Sequence, residues 1–219
     1  MLIRALCLLC LLLTIATLPG CALAGAMAES YQRTSTKPVL AEYTGLEGKS
    51  FAVVVSADRG IQAEHQQLVE YLASRLTERL SGPANVPTAG GFVPTQQVTQ
   101  YQYRTPTWAA KPMDEVGKDL GGVQRIVLLE LTEYRLNEPG NQYEWLGSAT
   151  FSTTVFEVDG ASPDEVAFTK IQTVDFPDQK GVAADTVDRR VITTALANRV
   201  VDRSSWLFYK HEEPYYPDY

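Results

Sequence analysis

The chain has 219 residues, with 19 Lys plus Arg against 26 Asp plus Glu, a formal net charge of −7, two His and three Cys. An acidic chain without a basic stripe is a poor partner for nucleic acid or anionic headgroups, so nucleic acid is not expected as a partner. With no His-x-x-x-His, no paired Cys-x-x-Cys, no EF-hand spacing and no glycine-rich phosphate loop, neither a metal site nor a cofactor is expected.

Residues 1–20 read as a secretory signal peptide: Arg4, then an apolar run from Ala5 to Leu18 of about fourteen residues, short of the roughly 20 that a spanning helix needs. Leu18-Pro19-Gly20-Cys21 is close to a bacterial lipobox, which predicts that Cys21 is lipidated and becomes the first residue of the mature chain. Pro19 departs from the usual small residue, and Ala22-Leu23-Ala24 before Gly25 offers ordinary signal peptidase an alternative site. Cys7 and Cys10 leave with the signal segment, so a chain starting at Cys21 holds no disulfide, zinc-thiolate site or redox pair. Residues 21–47 comprise that cysteine and a flexible Ala/Gly/Ser/Thr/Pro spacer. A single αβ domain is expected over 48–210 and a Tyr/Pro/acidic tail over 211–219.

Within the domain, Ser50–Val55 is a short apolar run ended by Asp58-Arg59-Gly60, the pattern of a buried strand. Gln62–Leu80 carries His65, Leu68, Leu72, Leu76 and Leu80 at spacings of three and four, which predicts one helix ended by Ser81-Gly82-Pro83. Val98–Tyr103 reads as a second strand, and Met113–Leu120 as a brief helix closed by Gly121-Gly122. Ile126–Tyr134 opens apolar and shifts to alternation, as a central strand leaving the core would. Alternation at Ala149, Phe151, Thr153 and Val155, turn signals at Asp159-Gly160 and Ser162-Pro163-Asp164, and the run Val166–Val174 predict an antiparallel hairpin. Asp185 is the expected cap of a last helix whose rows Val187, Val191, Ala195 and Ile192, Leu196, Val200 face inward. The order β-α-β-α-β-β-β-α predicts an α+β fold: one mixed sheet of about five strands with two or three helices packed on it.

Three strings carry a resemblance: Lys49 to Val55, the Leu72 to Leu80 helix, and Ile126-Val127-Leu128-Leu129-Glu130-Leu131-Thr132. Over about 160 residues the pattern resembles the periplasmic αβ domains of bacterial envelope lipoproteins represented by the TolB N-terminal region, the curli secretion lipoprotein CsgG and the penicillin-binding-protein activator LpoB. The strand from Val155 to Asp159 running into Gly160 resembles the segment of that group ending in a tight turn. The resemblance implies an envelope accessory or assembly lipoprotein acting through protein contacts, held to the lipid bilayer through Cys21, facing the periplasm. Ala22 rather than Asp after the cysteine favours the outer membrane in diderm bacteria.

The residues themselves offer little catalytic chemistry. His65 falls on the apolar side of the first helix, where a satisfied boundary histidine is the plain reading and a ligand or base the alternative; His211 reads as solvated. Asp175, Asp178 and Asp185 read as loop acids rather than a calcium site, Ser204-Ser205 as a helix end, and Glu212-Glu213 lacks apolar surroundings. The stronger lead is Tyr101 to Trp108, read as a strand edge offering Tyr101, Tyr103, Arg104 and Trp108 as anchors to a protein partner. The expectation is therefore a non-enzymatic protein; the alternatives are a ligand- or glycan-binding lipoprotein and an envelope hydrolase. A pocket with convergent polar groups favours ligand binding, whereas an open sheet edge or aromatic patch favours protein contact.

Overall fold

The structure, a computed structural model, describes residues 36–82, 91–178 and 180–214. The signal segment, Cys21 and the last five residues of the tail lie outside the described residues. Residues 40–211 form one compact unit, while 36–39 and the chain from Glu212 belong to another. In that other unit, the strand β1 (Thr36–Val39) pairs with the last strand (His211–Pro214), all of which but His211 belongs to the same unit, and Thr36 Oγ1 donates to a Glu212 carboxylate oxygen at 2.7 Å.

The main sheet has four strands rather than about five, in the order β2 (Phe51–Ala57), β3 (Arg125–Arg135), β5 (Gly147–Glu157), β6 (Val166–Phe176). A two-residue strand β4 (Glu144–Trp145) pairs instead with β7 (Val182–Ala183) in a ladder of its own. Strand β2 runs parallel to β3, with Val53 opposite Val127; β3, β5 and β6 then pair antiparallel, as the expected hairpin requires. The unbroken apolar runs of β2 and of the first half of β3 are explained by covered faces on both sides. Phe51, Val53, Val55, Val127, Leu129 and Phe151 enter one core cluster, and Ala52, Val54, Ile126, Leu128 and Phe156 a second.

The helix predicted over 62–80 is two helices, α1 (Arg59–Glu64) and α2 (Leu68–Ser81). His65 leaves helical geometry at φ −128° and ψ 64°, and its ring turns inward to stand edge-on to Tyr134 at 4.9 Å. Beyond this break the predicted row holds: Leu68, Leu72, Leu76 and Leu80 are all buried on the first core face. The predicted strand at 98–103 is wrong, since Thr95–Arg104 is a helix, α3. Its Thr/Gln composition has no alternating apolar residues to fill a strand face; instead Val98 is inserted into the second cluster, and one turn on the Gln102 side-chain amide donates to Val55 O at 3.1 Å.

Helix α4 (Met113–Asp119) packs beside it and ends as expected at Gly121 and Gly122, whose φ values of 90° and 77° suit glycine alone. Inside α4, Gly117 permits close approach to the end of β5: a Cβ there would lie 2.9 Å from Val158 Cγ2. The last helix, α5 (Arg189–Ser205), is capped by Asp188 rather than Asp185; the Asp188 carboxylate accepts from Arg190 N at 2.7 Å. With the helix so phased, Ile192, Leu196 and Val200 are buried as predicted, whereas Val191 of the other predicted row is 56 % exposed. Helices α2 and α5 cover one sheet face, and α3 and α4 cover the β2–β3 half of the other.

Within the segment expected to be spacer, Leu46 is fully buried in the first cluster and Tyr43 packs against Phe168 and Phe208. A buried arginine ties this segment down: Arg125 donates to Gly45 O at 2.9 Å and pairs with Asp159, which also holds Lys49 at 2.8 Å. Those two cations keep the Asp159 carboxyl below the usual carboxylate range. His211 is not simply solvated, as its ring stacks on Trp206 at 4.7 Å and 12°.

Candidate functional site

Folding α3 as a helix separates Tyr101, Tyr103 and Arg104 by their place on it and leaves Trp108 beyond its end. Tyr101 lies three residues after the buried Val98, on the same face, and packs against the second cluster together with Trp108. Tyr103 is turned to the opposite face and is 86 % exposed, while Arg104 is exposed at the helix end. Thr105 closes the helix through its N–H to Tyr101 O at 2.9 Å, and a 3-10 turn, Trp108–Ala110, leads into α4. Tyr101 and Arg104 therefore share a cleft of about 570 Å³ with Gln97, Asp119 and Leu120, but Tyr103 and Trp108 do not line it. Burial raises the pKa of the Tyr101 phenol; beside it Lys111 pairs with Asp119 at 2.8 Å and lies 6.0 Å from the Tyr101 ring centre. The side chains predicted to act as one patch are thus a half-buried pair that braces α3 against α4 and an exposed pair at the helix end.

A second surface, unmarked in the sequence reading, lies across the β5–β6 half of the sheet, beyond the reach of α3 and α4. On it Thr150 and Thr173, and Thr154 and Thr169, face each other across the strands with hydroxyls 3.1 Å apart. Ile171 sits opposite Ser152 in this polar field and is 74 % exposed. At its margin β6 is an eleven-residue edge strand that, among the described residues, is paired on one side alone. A one-sided strand of that length presents a row of unpaired N–H and C=O groups. The alternation read in the sequence was the signal for this face; its openness depends on where α3 and α4 stop.

The third feature is the break at His65. The ring is buried, with its side chain 6 % exposed, and its Nε2 lies 3.7 Å from a Glu64 carboxylate oxygen, too far for a hydrogen bond. Burial holds the imidazole below the usual histidine range; Glu64 opposes that shift and Arg189 adds to it. The unfolded chain therefore takes up a proton near about pH 6.5 that the folded chain resists. The stabilisation from a neutral His65 is complete above that pH and is lost as the pH falls toward the lowered folded value. Urea midpoints should drop between about pH 7.5 and about 5.5, and His65→Phe, which keeps the ring against Tyr134, should flatten that drop. Equal slopes for both proteins would show that His65 titrates as it does in the unfolded chain.

Among the described residues no group of three or more His, Cys, Asp or Glu is arranged to hold a metal ion. No helix among them is long and apolar enough to cross a membrane.

No family profile and no curated protein matches the chain. Among solved structures it is similar to lipoprotein GNA1162 from Neisseria meningitidis, at 10 % identity and a TM-score of 0.44, over 71 % of this chain and 96 % of that one. It is similar also to the PelC dodecamer from Paraburkholderia phytofirmans, at 10 % identity and a TM-score of 0.42, over 80 % of this chain and 97 % of that one. A third likeness, to the C-terminal domain of LpoB from Salmonella enterica, has 10 % identity and a TM-score of 0.28, over 67 % of this chain and 90 % of that one. The first of these three structures is that of a lipoprotein.

Proposed function

We propose that this chain is a lipid-anchored accessory or assembly protein of the bacterial envelope, tethered through Cys21 and acting by contact with another envelope protein rather than by turnover. The observation that carries the contact reading is the β5–β6 margin. Strand β6 offers eleven residues of one-sided backbone, with Val166 52 % exposed and Ile171 74 % exposed beside it. An extended segment of a partner adds to such an edge through main-chain hydrogen bonds, and exposed apolar side chains in a polar field supply the anchors. Tyr103 and Arg104, exposed at the end of α3, form the second contact point, in keeping with the enrichment of Tyr and Arg at interfaces.

The lipid tether, the periplasmic side and the outer membrane rest on the Leu18-Pro19-Gly20-Cys21-Ala22 string. Turnover is set aside on chemistry: a chain starting at Cys21 has no cysteine thiol in its domain, and neither a nucleophile motif nor a split carboxylate pair stands out in the sequence.

Crosslinking in cells tests the reading. A photoreactive residue placed at position 171 or 103 should give a discrete crosslinked product with one envelope protein, and the same residue at position 191, exposed on α5, should not. Tyr103→Ala should reduce the position-171 product while changing stability by less than about 0.5 kcal/mol, since the ring is nearly all in solvent. Should neither position 171 nor 103 capture a protein, the contact surface is misassigned. Should His65→Gln or His211→Gln abolish cellular function at normal fold and abundance, the non-enzymatic reading fails.

A further inference from the structure

Tyr103 and Ile171, the two exposed side chains of the contact reading, stand at one height along the strands. Glu130 lies opposite Ser56 of β2 and Ser152 of β5, and Ser152 lies opposite Ile171 of β6, so these four residues form one row across the sheet. Helix α3 is held at that height by Gln102, whose amide donates to Val55 O, one residue before Ser56, at 3.1 Å. The next two residues, Tyr103 and Arg104, are therefore level with Glu130 and Ile171, but over the β2 end of the row.

This face of the molecule has a step. Helices α3 and α4 cover its β2–β3 half, and the β5–β6 half is a hydroxyl shelf lower by the thickness of a helix, about 10 Å. Such a step is complementary to itself. Turning a second copy over, about an axis that runs along the strands, sets α3 of each copy above β6 of the other and leaves every height unchanged. Tyr103 points away from its own sheet and is 86 % exposed; in that arrangement it meets Ile171 of the second copy, which is 74 % exposed.

The charges on the two halves of the step also match. Arg104 is the sole charged residue of α3, is exposed, and has no ion-pair partner among the described residues. On the shelf row, exposed Glu130 likewise has no ion-pair partner there, and accepts a long bond from Ser152 Oγ at 3.5 Å. The same rotation brings this unmatched cation and anion together twice, once in each direction. Around them the surfaces are uncharged, with exposed Gln96 and Gln100 on α3 facing the threonine hydroxyls of the shelf.

An axis along the strands leaves the start of β2 at the same end of both copies, so both chains lead back toward one membrane. There, lipid anchoring raises their effective concentration, and a modest interface suffices. Antiparallel edge-to-edge pairing of two β6 strands would instead send the two starts to opposite ends and leave Tyr103 without a contact.

We propose that the partner at this face is a second copy of the chain, in a twofold pair where Tyr103 and Arg104 of each copy meet Ile171 and Glu130 of the other. The proposal rests on the contact reading above and names its partner.

Two differently tagged full-length chains, one with Tyr103→Cys and one with Ile171→Cys, are co-expressed and their membranes treated with a short bismaleimide. Cys7 and Cys10 leave with the signal segment and lipid blocks Cys21, so the introduced thiols are the reactive ones and the wild-type chain is the blank. A product holding both tags is expected. Neither variant alone should give one, because the pair sets the two Ile171 positions about 20 Å apart on facing sheets and the two Tyr103 positions about 14 Å apart, three strand spacings. Arg104→Glu in both chains should cut the two-tag product about fivefold, Glu130→Arg should do the same, and the two together should restore it. Both residues are exposed, so neither reversal disturbs the core. A product from Ile171→Cys alone would show pairing through the β6 edge and overturn the arrangement, as would the absence of a two-tag product or a double reversal that fails to restore it. Photocapture of a different protein at position 171, with no two-tag product, would overturn the second copy and leave the contact reading standing; no capture at 171 or 103 would end both.

Discussion

Leu72→Ala and Leu76→Ala should each lower the free energy of unfolding by about 2 to 5 kcal/mol. Both side chains are 0 % exposed and stand on the row of α2 that faces the first core cluster, between the sheet and α5. Each truncation removes three carbons from a packed interior. It leaves a cavity within the first core cluster, whose sheet residues are held in their strands and cannot all close in. Urea denaturation of the full chain measures the loss, and the slope with denaturant should stay unchanged if the fold is kept. Val191→Ala on α5 is the matched control: the side chain is 56 % exposed, so its truncation should cost less than about 0.5 kcal/mol. A loss under about 0.5 kcal/mol at Leu72 or Leu76 would mean that α2 is not packed on the sheet as described.

That contrast between α2 and α5 also marks what the chain's pattern reveals and what it conceals. Apolar spacing places the Leu68 to Leu80 row correctly because the row is long, pure leucine and seen by one core. It places β2, β3 and the hairpin for the same reason: runs or alternations of five or more residues leave one solution. On α5 two rows compete, and Val191 belongs to the weaker one, because the phase of the helix is fixed at its start by Asp188 and not by the valines. Thr95–Arg104 carries too few apolar residues for spacing to speak at all; a single Val98 under a sheet edge decides that it is a helix. Consequently the anchors Tyr101, Tyr103, Arg104 and Trp108, adjacent in the sequence, are parted in space. The break at His65 was concealed differently, since a histidine on a leucine row looks like a boundary residue until the backbone is seen to leave the helix there. The open β6 margin depends on where two neighbouring helices end, which no property of β6 itself records.

Cys21→Ser should move the whole protein from the membrane fraction to the soluble periplasm. The expectation follows from the arithmetic of anchoring: a buried methylene contributes about 0.8 kcal/mol, one acyl chain holds a protein only reversibly, and a diacylated cysteine holds it firmly. The acidic balance of the chain gives no attraction to anionic headgroups that would substitute for the lipid. Mass spectrometry of the wild-type amino terminus supplies the second readout, a lipid-modified Cys21 and no Leu18, Pro19 or Gly20. A wild-type chain beginning at Gly25 would show cleavage after Ala24 and remove the anchor from the proposal. Retention of the serine variant in the membrane would place the attachment elsewhere. Pro19→Ala discriminates further, because it brings the lipobox closer to the usual small-residue pattern: if processing at Cys21 is slow on account of the proline, the alanine should raise the lipidated fraction, and Cys21→Ser in that background should abolish it.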